Sequence, residues 1–221
     1  MRDRSMLILA AALLAVYAAL WHWQSPGAGG RMSRADVDAY VERLRGHLPA
    51  TPEDEAQFLG RIRAWGYADD GKPVYMLNVL RFYAQLKSVP HGEAVVGPPE
   101  AANATYEKNI VGLLFKLGGY PLFSGTNAGP DRDGIVDPAH ALDGVDHVLV
   151  VRYPSRRAFL DLISDPRYIP WAPWKMAAVE LGLLPLRSTI MVPDPRIVAG
   201  GLFLVVFLAV GWWRSARRRA L

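Results

Sequence analysis

Asn78 and Arg81 are the two polar residues of an otherwise apolar run, "VYMLNVLRF" at 74–82. An amide offers two donors and an acceptor, and a guanidinium offers five donors and a fixed charge, so this pair has the chemistry to hold an oxygen-bearing ligand. On a strand, residues three apart leave opposite faces. Asn78 shares its face with Met76, Leu80 and Phe82, and Arg81 shares the other with Tyr75, Leu77 and Val79. A regular strand therefore does not bring them into one pocket. Two readings of Asn78 stand side by side: an amide that satisfies nearby backbone groups, and a ligand contact. Arg81 reads as half of an ion pair at a strand end.

Other side chains with reactive or binding chemistry are scattered. His147 opens "HVLVVRY", a place where a base would line a sheet-walled pocket. Ser124 in "FSGT" lacks the pattern of a nucleophile elbow. Tyr168 and Trp171 belong to "RYIPWAPW" at 167–174, the most aromatic stretch, which suits an apolar pocket, a dimer core or lipid headgroups alike. With Tyr106 these complete the candidate ligand contacts: Asn78, Arg81, Tyr106, Ser124, His147, Tyr168 and Trp171. No metal site is expected. His140 stands seven residues from His147, and "DRDG" lacks the first Asp and last Glu of a calcium loop. No phosphate loop or dinucleotide fingerprint occurs, so no cofactor is expected either. With no cysteine in the chain, thiolate chemistry and disulfides are excluded. No reaction can be read from these residues.

The elements that must position these groups follow from spacing and punctuation. Ser33 caps a helix with an apolar stripe at Val37, Tyr40, Val41, Leu44 and Leu48. Thr51-Pro52-Glu53-Asp54 starts a second, with Phe58, Leu59, Ile62 and Trp65 inward and Gly66 at its end. A strand at 74–82 leads into a Pro/Gly-rich loop at 84–102. Asn103 is expected to cap a third helix, with Tyr106, Ile110, Leu113, Leu114 and Leu117 inward and Gly118-Gly119 as its stop. Strands are expected at 120–126 and 147–153. Ser155 caps a helix broken by Asp165-Pro166, a helix resumes over Lys175–Leu181, and a last strand covers 184–192. From residue 74 the order is β-α-β-β-α-β, the ferredoxin-like split motif, an α+β fold with helices on one face of an antiparallel sheet.

Both ends are apolar. Met6–Trp23 and Ile197–Trp213 reach about 25 Å each as helices, near the lower limit for crossing a hydrocarbon core, and Trp residues stand at their ends. The first run is read as an anchor in preference to a cleaved signal peptide, because it stays apolar through Trp21. The chain carries 25 basic and 21 acidic residues, but the two tails hold six of the former and one of the latter, so the remainder carries 19 against 20. That balance argues against nucleic-acid binding. Arginine at both outer flanks places both termini in the cytoplasm and the domain outside, at the cell (inner) membrane, in the periplasm if the source is bacterial. The expected plan is a tail at 1–5, a transmembrane helix at 6–23 and a linker at 24–32. N-terminal helices at 33–66, the ferredoxin-like domain at 73–192, a second transmembrane helix at 197–213 and a basic tail at 214–221 complete it.

"KPVYMLNVLRF", "YEKNIVGLLFKLGGYPLFSG", "HVLVVRYPSRRAFLDLISDPRY" and "LRSTIMV" resemble, in order and spacing, the dimeric α+β-barrel superfamily. Within it they are most similar to the bacterial branch called domain of unknown function 1330. The features that carry the resemblance are Asn78 through Phe82, Gly118-Gly119, and Pro166 with Tyr168. The match covers about half of the chain. The long 84–102 loop, Pro170, Pro173 and the two apolar ends depart from it. The resemblance implies a homodimer paired sheet to sheet, and no particular reaction. Two roles are compatible with all of this. One is a membrane-anchored domain that binds or transforms a small apolar or aromatic ligand. The other is a non-catalytic dimerisation module at the membrane surface.

Overall fold

Ser33 and Asp36 close a reciprocal capping box: the Asp36 amide donates to Ser33 Oγ, and the Ser33 amide donates to Asp36 Oδ2. That box opens helix α1, Arg34–Leu44, which buries Val37, Tyr40, Val41 and Leu44. Thr51 caps α2, Pro52–Tyr67, whose first turn carries Glu53, Asp54 and Glu55 on its positive end. The computed structural model describes residues 8, 11, 12, 15, 18, 19, 21–24, 30–48, 50–89, 95–129, 132–189 and 195–217. The chain divides into two compact units, Met1–Arg187 and Ser188–Leu221.

In the first unit, α1 and α2 are followed by β1 (Val74–Phe82), α3 (Pro99–Lys116), β2 (Tyr120–Thr126), β3 (His147–Tyr153), α4 (Arg156–Ile163), a 3-10 turn (Ile169–Trp171), α5 (Ala172–Ala178) and β4 (Val179–Leu186). The four strands form one antiparallel sheet in the order β2-β3-β1-β4, which is the ferredoxin-like arrangement. Burial alternates along β1 as far as Arg81, with Val74, Met76, Asn78 and Leu80 buried and their odd-numbered neighbours half-buried. Register extends the two faces across the sheet. Asn78 lies opposite Leu149 and Leu183, while Leu77 lies opposite Val150 and Leu184.

One core joins α1 (Val37, Tyr40, Leu44), α2 (Leu59, Ile62), α3 (Tyr106, Ile110), α4 (Phe159, Leu160) and the Met76 face of the sheet. The two N-terminal helices thus belong to the helical layer. The Leu77 face carries Val79, Val148, Val150, Phe123 and Leu184, with Phe123 at 58% and Leu184 at 53% exposure.

Four expectations are corrected. α3 starts at Pro99, where a missing N–H costs nothing in a first turn, and Asn103 is a buried interior residue of that helix rather than its cap. Gly66 does not end α2. It lies within the helix, where a Cβ would come to 2.7 Å from Val37 Cγ1, so the missing side chain lets α1 and α2 approach. The helix expected over Lys175–Leu181 starts earlier and ends earlier: residues 169–178 are helical, with Pro170 and Pro173 each in a first turn. The last strand comes five residues early, at Val179–Leu186, with Val179 paired to Phe82 and Leu181 to Leu80. Residues 190–192 of the strand expected at 184–192 lie outside the described residues. Pro185 and Pro121 both occupy edge strands, where a strand tolerates proline.

Among the described residues no helix is long and apolar enough to cross a membrane. Much of the expected span at 6–23 lies outside those residues. Its end does not: the Trp23 ring stacks on Tyr120 at 5.9 Å, and its Nε1 donates to the Phe115 carbonyl at 2.6 Å. The second unit contains α6, Pro195–Arg217.

Candidate functional site

Lys175 is the only charged residue between Arg167 and Glu180, and it is buried, at 7% exposure. Helix α5 places it against the middle of β1, where its Nζ donates to Asn78 Oδ1 at 3.1 Å. Asn78 in turn donates from Nδ2 to the carbonyls of Met76, at 3.1 Å, and Leu149, at 3.3 Å. Both N–H groups of the amide are therefore used, and its oxygen accepts from the lysine and aims it. The ammonium also lies over the Tyr106 ring, 5.3 Å from its centroid. Burial lowers the lysine pKa to about 8, while the Glu107 charge on α3 opposes that shift.

Tyr106 projects from α3, and Tyr168 from the turn after α4. Their rings meet edge to face at 6.0 Å, and their hydroxyls are 3.2 Å apart. Desolvation raises both phenols above their ordinary range, so both carry their protons at neutral pH. Tyr153 of β3 is pushed the same way by burial.

These groups border a cavity of about 450 Å³ between the sheet, α2, α4 and α5. Its walls include Phe58, Ile62, Met76, Phe159, Leu162, Ile163 and Leu181, with Asp54 and Arg61 contributed by α2. The volume falls in the range of small-molecule sites, and the composition is theirs as well: mostly apolar, with a few convergent polar groups. Among the described residues no three His, Asp or Glu side chains gather as a cation site.

Of the residues singled out from the sequence, Asn78, Tyr106 and Tyr168 line this cavity. Trp171 does not; it leans on Trp174 at 6.1 Å, partly buried against the core. Arg81 points from the other face of β1. It donates to the carbonyls of Asp143, at 2.9 Å, and Ala141, and approaches Glu180 at 3.5 Å, so it ties down the segment before β3. Ser124 and His147 do meet, Oγ to Nε2 at 3.0 Å, but on the β2–β3 edge and outside the cavity lining. Among the described residues no carboxylate backs that imidazole, as an acyl-transfer triad would require. Lys175 was not foreseen. The signal available was a lone charge in "IPWAPWKMAAV".

No family model matches this chain, and no curated protein does. Among solved structures it is similar to RPA0582, a protein of unknown function from Rhodopseudomonas palustris, at 28% identity and a TM-score of 0.48 over 67% of this chain and 99% of that one. The methylated form of RPA0582 gives 29% identity and a TM-score of 0.49, over 67% of this chain and 98% of that one. More distant likenesses are a variant of SnoaB, a cofactor-independent oxygenase from Streptomyces nogalater (11% identity, TM-score 0.37, 56% of this chain and 99% of that one), and the hydroxynitrile lyase of Passiflora edulis (18% identity, TM-score 0.37, 55% and 98%).

Proposed function

We propose that this protein is a membrane-anchored, extracytoplasmic domain that binds a small, largely apolar or aromatic molecule in the cavity bounded by Asn78, Tyr106, Tyr168 and Lys175. The observation that carries the reading is the cavity itself: about 450 Å³ of mainly apolar wall converging on one buried cation that a buried amide holds in place. A protein that used its core only for stability gains nothing from burying a lysine beside empty space. The test is a titration of the full chain with a fluorescent naphthalene probe, compared with an Ala172→Phe variant that fills the cavity. Saturable binding to the natural chain, lost in a variant that keeps its helical spectrum and melting temperature, supports the reading. Equal binding to both, or to neither, rejects it.

The membership in the branch called domain of unknown function 1330 and the pairing of two copies belong to the same proposal. The sheet face bearing Leu77, Val79, Val148, Val150 and Phe123 lies away from the core that the helices share with Met76, and a second copy is the natural cover for it. This face also supports the second reading, a dimerisation module without a ligand. Anchoring is supported by α6, whose Leu202, Leu204, Val205, Val206, Leu208, Val210, Trp212 and Trp213 are all exposed. Three consecutive residues point around most of a turn, so the apolar surface is not one stripe, and such a helix calls for an apolar surround. The arginines beyond it orient the tail to the cytoplasm. A reporter fused after Leu221 is then active in the cytoplasm; activity only in the periplasm overturns the orientation.

A further inference from the structure

We infer that the ligand is a monocarboxylate, its carboxylate seated against Lys175 and the Tyr106–Tyr168 hydroxyl pair and its apolar body among Phe58, Met76, Leu162 and Ile163. This rests on the reading of the cavity as a ligand site and states the chemistry of what enters it.

The argument is a count of donors and charges. Lys175 presents three N–H donors. Among the described residues one goes to Asn78 Oδ1, and the ammonium's remaining contact is the Tyr106 ring. No Asp or Glu oxygen of the described residues forms an ion pair with it. Glu107, the acid that acts on it through space, accepts instead from Asn103 Nδ2 at 2.9 Å. The two tyrosine hydroxyls carry two protons and share one hydrogen bond, so one proton is left for a third partner. The polar end of the cavity thus offers unused donors and a positive charge that no carboxylate of the described residues contacts.

A buried charge without a counter-ion is costly, and an anionic ligand removes that cost while using the spare N–H and O–H donors. A carboxylate has two oxygens and about four acceptor positions, enough for the ammonium and the phenol together. A neutral carbonyl or alcohol leaves the charge uncompensated. An amine adds a second positive charge. A phosphate dianion brings more negative charge than this one cation balances, into walls that are otherwise apolar.

The experiment is calorimetric titration of the full chain in non-ionic detergent with 2-naphthoate and with its neutral isostere 2-naphthamide. At pH 7 the acid is expected to bind roughly tenfold or more tightly than the amide. Raising the pH to about 9.5 discharges Lys175 and should abolish the preference by weakening the acid alone. The other ionisable groups around the site are Tyr106 and Glu107 on α3, Tyr153 on β3, Tyr168, and Asp54 and Arg61 on α2. The tyrosines are held protonated by burial. Lys175→Met should bind both probes alike. Because the pH arm uses the unaltered chain, the test survives a variant that fails to fold. Equal affinity of the two probes at pH 7, or a preference that persists at pH 9.5, overturns the carboxylate while leaving the cavity reading in place. Binding of neither probe overturns both.

Discussion

Lys175 Nζ and Asn78 Oδ1, 97 residues apart in sequence, meet at 3.1 Å inside the core. The contact explains why a central strand carries an amide. Asn78 stands where a lysine from α5 needs an acceptor and where the Met76 and Leu149 carbonyls can take its own two N–H groups. Burial of the lysine costs stability, since desolvation brings its pKa from 10.5 down to about 8.

The sign of the resulting pH dependence is fixed. Between about pH 8 and 10.5 the unfolded chain holds a proton on Lys175 that the folded chain has released, so stability rises with pH. The full cost, roughly 3 kcal/mol, applies below pH 8. The buried phenols of Tyr106, Tyr153 and Tyr168 act oppositely above about pH 10, because unfolding lets them ionise. Chemical denaturation of the ligand-free protein should therefore show stability climbing from pH 8 to 10 and then falling. Lys175→Met should flatten the climb. Its effect at pH 7 is small, because relief of the buried charge is offset by about 1–3 kcal/mol for the stranded Asn78 oxygen.

The hydroxyl pair lends itself to a double-mutant cycle. Tyr168→Phe or Tyr106→Phe alone removes one partner of the 3.2 Å contact and leaves the other oxygen buried. Each single change should destabilise by about 1–3 kcal/mol. The double variant should cost less than the sum of the two, since no orphan remains. Additive costs would show that the two hydroxyls do not interact.

Much of the fold was legible because its signals are local. The strands at 74–82 and 147–153 are mainly apolar runs between turn residues, and Ser33, Thr51 and Ser155 are caps by chemistry. β4 was misplaced because "KMAAVEL" is made of helix formers, so 179–181 was given to a helix; pairing of Val179–Leu186 to β1 overrides that local preference. At the site, Asn78, Tyr106 and Tyr168 had each been singled out, but nothing local distinguishes a lysine destined for the core from one destined for solvent. The meeting of Ser124 with His147 required the β2–β3 register, which no single segment contains.

Gly66 tests the packing of α1 on α2. In a free helix, alanine at this position gains about 1 kcal/mol over glycine. Here its Cβ falls 2.7 Å from Val37 Cγ1, and Val37 is fully buried, so Gly66→Ala should instead destabilise by roughly 1–3 kcal/mol. Combining it with Val37→Ala makes room for the new methyl. The double variant should be more stable than Val37→Ala alone. Thermal melts of the four chains check this; a stabilised Gly66→Ala single variant would show that the helices separate freely.

The last prediction concerns the Leu77 face. β1 alternates, so Leu77 and Leu80 belong to opposite faces: Leu80 is buried at 1% exposure under the helices, and Leu77 lies opposite Val150 and Leu184 on the other side. A charge at Leu80 would be forced into the core and should unfold the domain. A charge at Leu77 meets water in a single copy and meets an apolar surface only if a second copy covers the face. Leu77→Asp should therefore leave the monomer folded and convert a dimer to a monomer across micromolar concentrations in sedimentation velocity. Phe123, at 58% exposure on the same face, provides an independent site, and Phe123→Asp should act in the same direction. If the natural chain already sediments as a monomer under these conditions, the sheet-to-sheet pairing is wrong. If both variants remain dimeric and folded, the copies meet elsewhere.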